Sequence, residues 1–236
     1  MLGAAPQDHP RSTSCPSRAS PVGVKRLLLA LSTVFLLGAS APEPVRGLPP
    51  LRTVDGRKLL LLGSQPRTIG GQATLWALYV DEVDAKRAFP PLAARAGGRD
   101  RARLLAGDHA TTFVIWGAFA KLLQVRSDGT IAPSALRPLF EEALAHELSD
   151  KANPEVKKAA QAFLALFDAT TPLQAEESIQ IRTSPDGDIV VDIAGQLQAG
   201  PKNPKVSRAL WNGLLGTSGP GDLKRGLVEG IDRLAR

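Results

Sequence analysis

Sulfur is almost absent from this chain. Its 236 residues hold one cysteine, Cys15, and one methionine, Met1. Both fall within the first forty residues, so disulfides, thiol catalysis and sulfur-ligated metals are excluded from the rest. Of three histidines only His109 and His146 lie further on, without a paired spacing, which argues against a histidine metal site. No run of Lys and Arg is long enough, or interleaved enough with aromatics, to indicate nucleic-acid binding. Gly-x-Ser-x-Gly and phosphate-loop patterns are missing. Thr217-Ser218-Gly219-Pro220-Gly221 is glycine-rich but lacks the lysine of a nucleotide loop, and reads as a helix-to-helix turn. No cofactor is expected.

What is present begins with a leader. Met1 to Gly23 is rich in Pro, Ser and Arg and has no apolar period. Lys25-Arg26, an apolar run from Leu27 to Leu37 and Ala39-Ser40-Ala41 then supply the basic, hydrophobic and cleavage regions of a signal peptide. The apolar run is shorter than the roughly 20 residues a membrane span needs. Residues 1–41 are therefore expected to be a signal peptide with a long basic region, and a start near Val24 would make it an ordinary compact one. The expected location is periplasmic or secreted. Pro42 is awkward for a peptidase, so the alternative is a retained leader that anchors the chain, its only membrane contact. Setting residues 1–41 aside removes four basic residues (Arg11, Arg18, Lys25, Arg26) and one acid (Asp8), lowering the formal charge from +6 to +3. The high isoelectric point is partly a property of the leader. The remaining length suits one domain with a sizeable core.

Residues 42–50 form a proline-rich lead-in, and 51–236 the expected domain. Lys58 to Leu62 reads as a strand ended by Gly63-Ser64-Gln65-Pro66. After the Gly70-Gly71 turn signal, Ala73 to Val80 reads as a second, buried strand. A helical pattern starts at Asp84, is interrupted at Pro90-Pro91 and closes at Gly97-Gly98. Arg99 to Trp116 reads equally as helix or as strand after His109. Ala118 to Val125 alternates as a strand, ended by Ser127-Asp128-Gly129. Ser134 is placed to cap a helix carrying Leu136, Leu139, Phe140, Ala143 and Leu144, and Asn153-Pro154 to start another. Ile179 to Ile193 reads as a hairpin about Ser184-Pro185-Asp186-Gly187, and two helices follow. This order indicates an α+β protein, a largely antiparallel sheet with helices packed on one face.

Two residues near the second strand stand out. Arg67 has no charged neighbour in sequence, and Thr74 puts a hydroxyl among apolar side chains. Either Arg67 points to solvent and Thr74 bonds the backbone, or both face one ligand, since a buried guanidinium without an anion is costly.

Leu59 to Gly63, Arg67 and Thr74-Leu75-Trp76-Ala77-Leu78-Tyr79-Val80-Asp81 resemble the start of the chalcone isomerase family. Gly117-Ala118-Phe119-Ala120-Lys121-Leu122-Leu123 is similar to the family's Gly-Pro-Phe-Glu-Lys-Leu-Ile segment, and Ser184-Pro185-Asp186-Gly187 and Asp222-Leu223-Lys224-Arg225 follow in order. The resemblance spans roughly Pro50 to Arg236 and points to bacterial secreted chalcone-isomerase-like proteins. It implies an open-faced sandwich and, for the plant enzyme, an intramolecular lyase that closes a flavanone ring from a conjugated ketone. There an Arg attracts the phenolate while a Thr and a Tyr polarise the ketone through water.

Carried over, the family Arg falls on Arg67, the Thr on Thr74 and the lysine on Lys121. The catalytic Tyr position is Ala135, the Asn position is Glu142, and the late Thr-Met pair is Gly213-Leu214. Losing such a donor costs on the order of 3 kcal/mol of transition-state stabilisation, so efficient flavonoid chemistry is not expected. Some family members bind fatty acids instead, which Arg67 and Thr74 suffice for. The leading expectation is a binder of a small hydrophobic carboxylate such as a fatty acid. Arg67 is its anion anchor, and Thr74, Lys121, Glu142, Trp76 and Leu214 line the cleft. Glu142 could instead neutralise Arg67. Two alternatives stand beside it: an intramolecular lyase using Arg67 and Thr74, and a structural or partner-binding protein whose cleft is filled by Trp76, Phe119, Trp211 and Leu214. Oligomeric state is not legible.

Overall fold

The computed structural model describes residues 47–168, 171–217 and 219–236. The expected leader, Cys15, most of the Pro42–Pro50 lead-in and Ser218 of the glycine-rich turn lie outside the described residues.

Two-residue turns with left-handed backbone organise the sheet. Asp55-Gly56 joins β1 (Leu51–Val54) to β2 (Arg57–Ile69), and Gly70-Gly71 joins β2 to β3 (Gln72–Asp81). All four residues have positive φ, the geometry that matches the twist of a tight hairpin. After three helices comes β4 (Lys121–Ser127), then β5 (Ser178–Thr183), β6 (Asp188–Ile193) and β7 (Gln196–Lys202). Among the described residues these seven strands form one sheet in sequence order, every neighbouring pair antiparallel.

The helices are α1 (Glu82–Arg95), α2 (Arg101–Leu105), α3 (His109–Trp116), α4 (Arg137–Ala143), α5 (Ala145–Leu148), α6 (Pro154–Ala165), α7 (Pro204–Leu215) and α8 (Gly221–Val228). Two 3₁₀ turns, Pro133–Leu136 and Ile231–Ala235, accompany them. Their apolar faces merge with Trp76, Leu78, Val80, Leu123, Val125, Ile179, Ile181 and Val191 into one core on one side of the sheet. The opposite face keeps a small cluster of its own, Leu59, Leu61, Ala77, Tyr79 and Leu122, capped by Leu48 and Val54. The α+β expectation, helices on one face of an antiparallel sheet, is what the chain forms. No helix among the described residues is long and apolar enough to cross a membrane.

Several local expectations are corrected. Gly63-Ser64-Gln65-Pro66 does not end a strand: β2 runs on to Ile69, with a register shift between Leu61 and Gly63. Pro66 is tolerated because β1 pairs only with Arg57 to Leu60, leaving the rest of β2 an edge that needs no donor there. At Gly63 a side chain would run into the backbone of Gly226 and Leu227, so glycine is what lets α8 lie on β2. Pro90-Pro91 does not interrupt α1. Both prolines are exposed, where water satisfies the freed carbonyls, while Ala85, Phe89, Leu92 and Ala93 hold the buried side. Asp81 caps α1 through Asp84 N at 2.9 Å and is itself held by Arg57 at 3.2 Å. The Arg99–Trp116 region is two short helices and no strand. Ser134 caps nothing; it sits inside the 3₁₀ turn and α4 begins at Arg137. Asn153 does cap α6, accepting from Glu155 N and Val156 N.

Candidate functional site

Arg67 and Thr74 face each other across the β2–β3 hairpin and share the helix-covered side with Trp76. The Thr74 hydroxyl donates to the Arg67 carbonyl at 2.9 Å and accepts from Trp76 Nε1 at 3.1 Å. It is 1 % exposed and its single hydrogen is committed. The backbone-bonding reading of Thr74 is thus what the geometry shows. The hydroxyl locks the indole and the edge of β2 in place.

Arg67 is different. Its side chain is half-buried, its Cζ lies 6.0 Å from the centre of the Trp76 ring, and Nη1 is shielded from solvent without a hydrogen-bond partner. Among the described residues no carboxylate pairs with it. Glu142 is exposed on α4 and does not neutralise it. An orphaned buried donor costs about 1–3 kcal/mol, more when it carries charge, so this corner of the hairpin is poised for an acceptor. Ala135 lies 3.8 Å from where a Gly70 side chain would begin. Ala135 thus lies against the Gly70-Gly71 turn that follows Arg67 on β2.

Below Trp76 lies an aromatic cluster. The Trp76 ring lies 6.3 Å from that of Phe140, which in turn touches Phe163 and Phe167 at 5.6 and 4.8 Å. Trp76, Phe119, Trp211 and Leu214 are all core residues. At Gly213 a side chain would collide with the Ala143 backbone, so α7 and α4 are in direct contact beside Leu214.

Lys121 is not brought to this corner. It pairs with Val80, six residues along β3 from Thr74, a separation of roughly 20 Å at the strand rise. There its ammonium donates to the Gly117 carbonyl at 2.8 Å, sits 4.9 Å from the Phe119 ring and is 7 % exposed. Burial, and secondarily the Arg208 charge, lower its pKa from 10.5 to about 8. Thr183, its partner on β5, accepts from Trp211 Nε1 at 2.9 Å. His146, four residues after Glu142, contacts Glu147 at 3.4 Å, because α4 ends at Ala143 and the one-turn spacing to Glu142 is lost.

Cavities lined by described residues include one of about 390 Å³ between α1 and α3, one of 700 Å³ among α2, α3 and α8, one of 150 Å³ by the β1 hairpin and one of 90 Å³ beside Trp211. Lys121 lines the last two; Arg67, Thr74, Trp76, Glu142 and Leu214 line none of these four. Sequence reasoning passed over the first cavity and over the exposed Trp116 that lines it, because the helix–strand ambiguity hid α3. Among the described residues no group of three His, Cys, Asp or Glu side chains could hold a metal.

The architecture is that of a chalcone isomerase-like open-faced sandwich. A solved structure of the fatty-acid binding protein of Arabidopsis thaliana superposes with a TM-score of 0.59 and 16% sequence identity, covering 80% of this chain and 94% of that one. No family model matches the sequence, and no curated protein matches it.

Proposed function

We propose that this chain binds a small hydrophobic carboxylate at the β2–β3 hairpin, with Arg67 taking the carboxylate. The observation that carries the reading is the shielded Arg67 Nη1, which has no acceptor among the described residues. A carboxylate supplies two acceptors in the geometry a guanidinium matches, and such charge-assisted bonds are about twice as strong as neutral ones. The tail would lie near Ile69 and Ala135, beside the aromatic cluster under Trp76. The name of the Arabidopsis neighbour, a fatty-acid binding protein, supports the same ligand class. Binding needs only the fork of Arg67. The lyase alternative needs a donor to a developing enolate, and the Thr74 hydrogen is already spent on Arg67 O while position 135 is Ala. On the leader alone, the site of action is outside the cytoplasm.

Titration of delipidated protein with dodecanoate tests the proposal. Saturable binding that weakens at least tenfold in Arg67→Gln, and that dodecanoate methyl ester does not reproduce, is expected. Equal binding to both proteins would remove Arg67 from the site. A second reading, a structural or partner-binding domain without a small ligand, is favoured by the burial of Trp76, Phe119, Trp211 and Leu214. Absence of any saturable acid binding would select it.

A further inference from the structure

The groove between α1 and α3 lies off the Asp81 end of β3, far from Arg67, and has its own chemistry. Ala120 bonds Asp81, which ties the start of β4 and the end of α3 to the start of α1. The two helices therefore run in opposite directions, with Trp116 near the start of α1 and His109 near its end. Each offers one stripe at helical spacing: Ala88, Pro91, Leu92 and Arg95 from α1, and His109, Thr112, Phe113 and Trp116 from α3. Two facing stripes of this kind usually close on one another. Here a cavity of about 390 Å³ separates them, within the range that holds small ligands.

Its charge is all of one sign: Arg95 lines it, and Arg208 lies against Trp116 from outside the lining. Arg95 and His109 mark one end, and no carboxylate is among the lining residues. Asp108, beside His109, is engaged by Lys224 at 2.7 Å, whereas among the described residues no acid engages Arg95. At the other end Trp116 is 63 % exposed, the most open large apolar side chain in the described chain together with Leu197. The Arg208 guanidinium lies 4.6 Å from its ring centre, and the indole lines both this cavity and the small one beside Trp211. Seven residues of helix separate the two ends, roughly 10 Å.

We propose that this groove is a second binding site, specific for a compact aromatic carboxylic acid. The carboxylate pairs with Arg95 at the His109 end, and the ring system lies between Leu92 and Phe113 and reaches Trp116. The site stands independently of the Arg67 reading.

The probe is 2-naphthoate, titrated against the wild-type protein while the fluorescence of the exposed Trp116 and amide chemical shifts are followed. Saturable quenching is expected, with shift changes confined to α1 and α3. Arg95→Gln should weaken binding at least tenfold. Trp116→Leu should remove the quenching and weaken binding several-fold. Naphthalene-2-carboxamide should not compete, and Arg67→Gln should bind as wild type. Arg95 and Trp116 are both exposed, so neither variant threatens the fold. The inference is overturned by the absence of saturation at millimolar naphthoate, by unchanged affinity in Arg95→Gln, or by equal competition from the amide. Loss of binding in Arg67→Gln alone would also overturn it and would place the acid at the hairpin instead.

Discussion

Lys121 is a charge this fold holds at a cost, and its effect on stability has a sign that can be worked out. Folding buries the ammonium against Phe119 with a single protein acceptor, Gly117 O, and with Arg208 as a like charge nearby. Its pKa falls from 10.5 to about 8. Each unit is worth 1.36 kcal/mol, so at neutral pH the charged form is penalised by roughly 3 kcal/mol in the native state. Between about 8 and 10.5 the unfolded chain carries a proton on this amine that the native chain lacks, and stability therefore rises with pH across that window. Below about 8 both states are protonated and the full penalty stands. Lys121→Met keeps the length of the side chain and removes the charge, but it orphans the Gly117 carbonyl, at about 1 kcal/mol. The variant is expected to be more stable than wild type by about 2 kcal/mol at pH 7, and slightly less stable by pH 10. Tyr79, whose pKa is raised first by burial, loses stability as pH climbs above 10, but it does so in both proteins and cancels in the difference. Urea unfolding of the pair at pH 7, 8, 9 and 10 measures this difference directly. A gap independent of pH, or one that widens as pH rises, would refute the reasoning.

Other outcomes follow from the same geometry. Thr74→Val keeps the shape but orphans the buried Trp76 indole N–H, and should lower unfolding free energy by about 1–3 kcal/mol without weakening dodecanoate binding; urea midpoints and the same titration check both halves. Gly213→Ala drives a methyl into the Ala143 backbone and should cost about 1–3 kcal/mol by prising α7 from α4, read from the thermal midpoint. Tyr79→Phe removes a buried hydroxyl that makes no hydrogen bond of normal geometry and has Arg52 as its charged neighbour, and should leave stability unchanged or raise it by about 1 kcal/mol in urea.

How much of this is legible in the sequence depends on whether a signal is local. Ala73 to Val80, the β5–β6 hairpin and α6 behind Asn153-Pro154 each carry a period and a boundary residue of their own, and each forms where expected. The missed elements lacked one half of that pair. β7 follows Ala194-Gly195, a hairpin turn in which an alanine adopts φ 51°, and its exposed residues do not alternate as a half-buried strand should. β1 is four residues long, and only the Asp55-Gly56 turn could have announced it. Pro66 and Pro90-Pro91 misled because a proline's effect depends on whether its missing donor was needed. That is a property of the edge or of the solvent face, not of the segment.

The candidate site divides along the same line. Arg67, Thr74 and Trp76 meet because one hairpin sets their register, and a two-residue turn fixes that register from sequence. Lys121 parts from them because an antiparallel meander places the ends of neighbouring strands at opposite edges. Residues next to each other in a family's motif order can thus sit a full strand length apart. One ligand anchored on Arg67 would need a rigid span of about 20 Å to reach Lys121. The two cations therefore act separately. The hairpin corner has an unmet demand for an acceptor, while the amine already has one in Gly117 O and strains against its own burial. An acid that binds at Arg67 should accordingly stabilise the fold without moving the pH window set by Lys121. A shift of that window on adding dodecanoate would show that the two ends share a ligand after all.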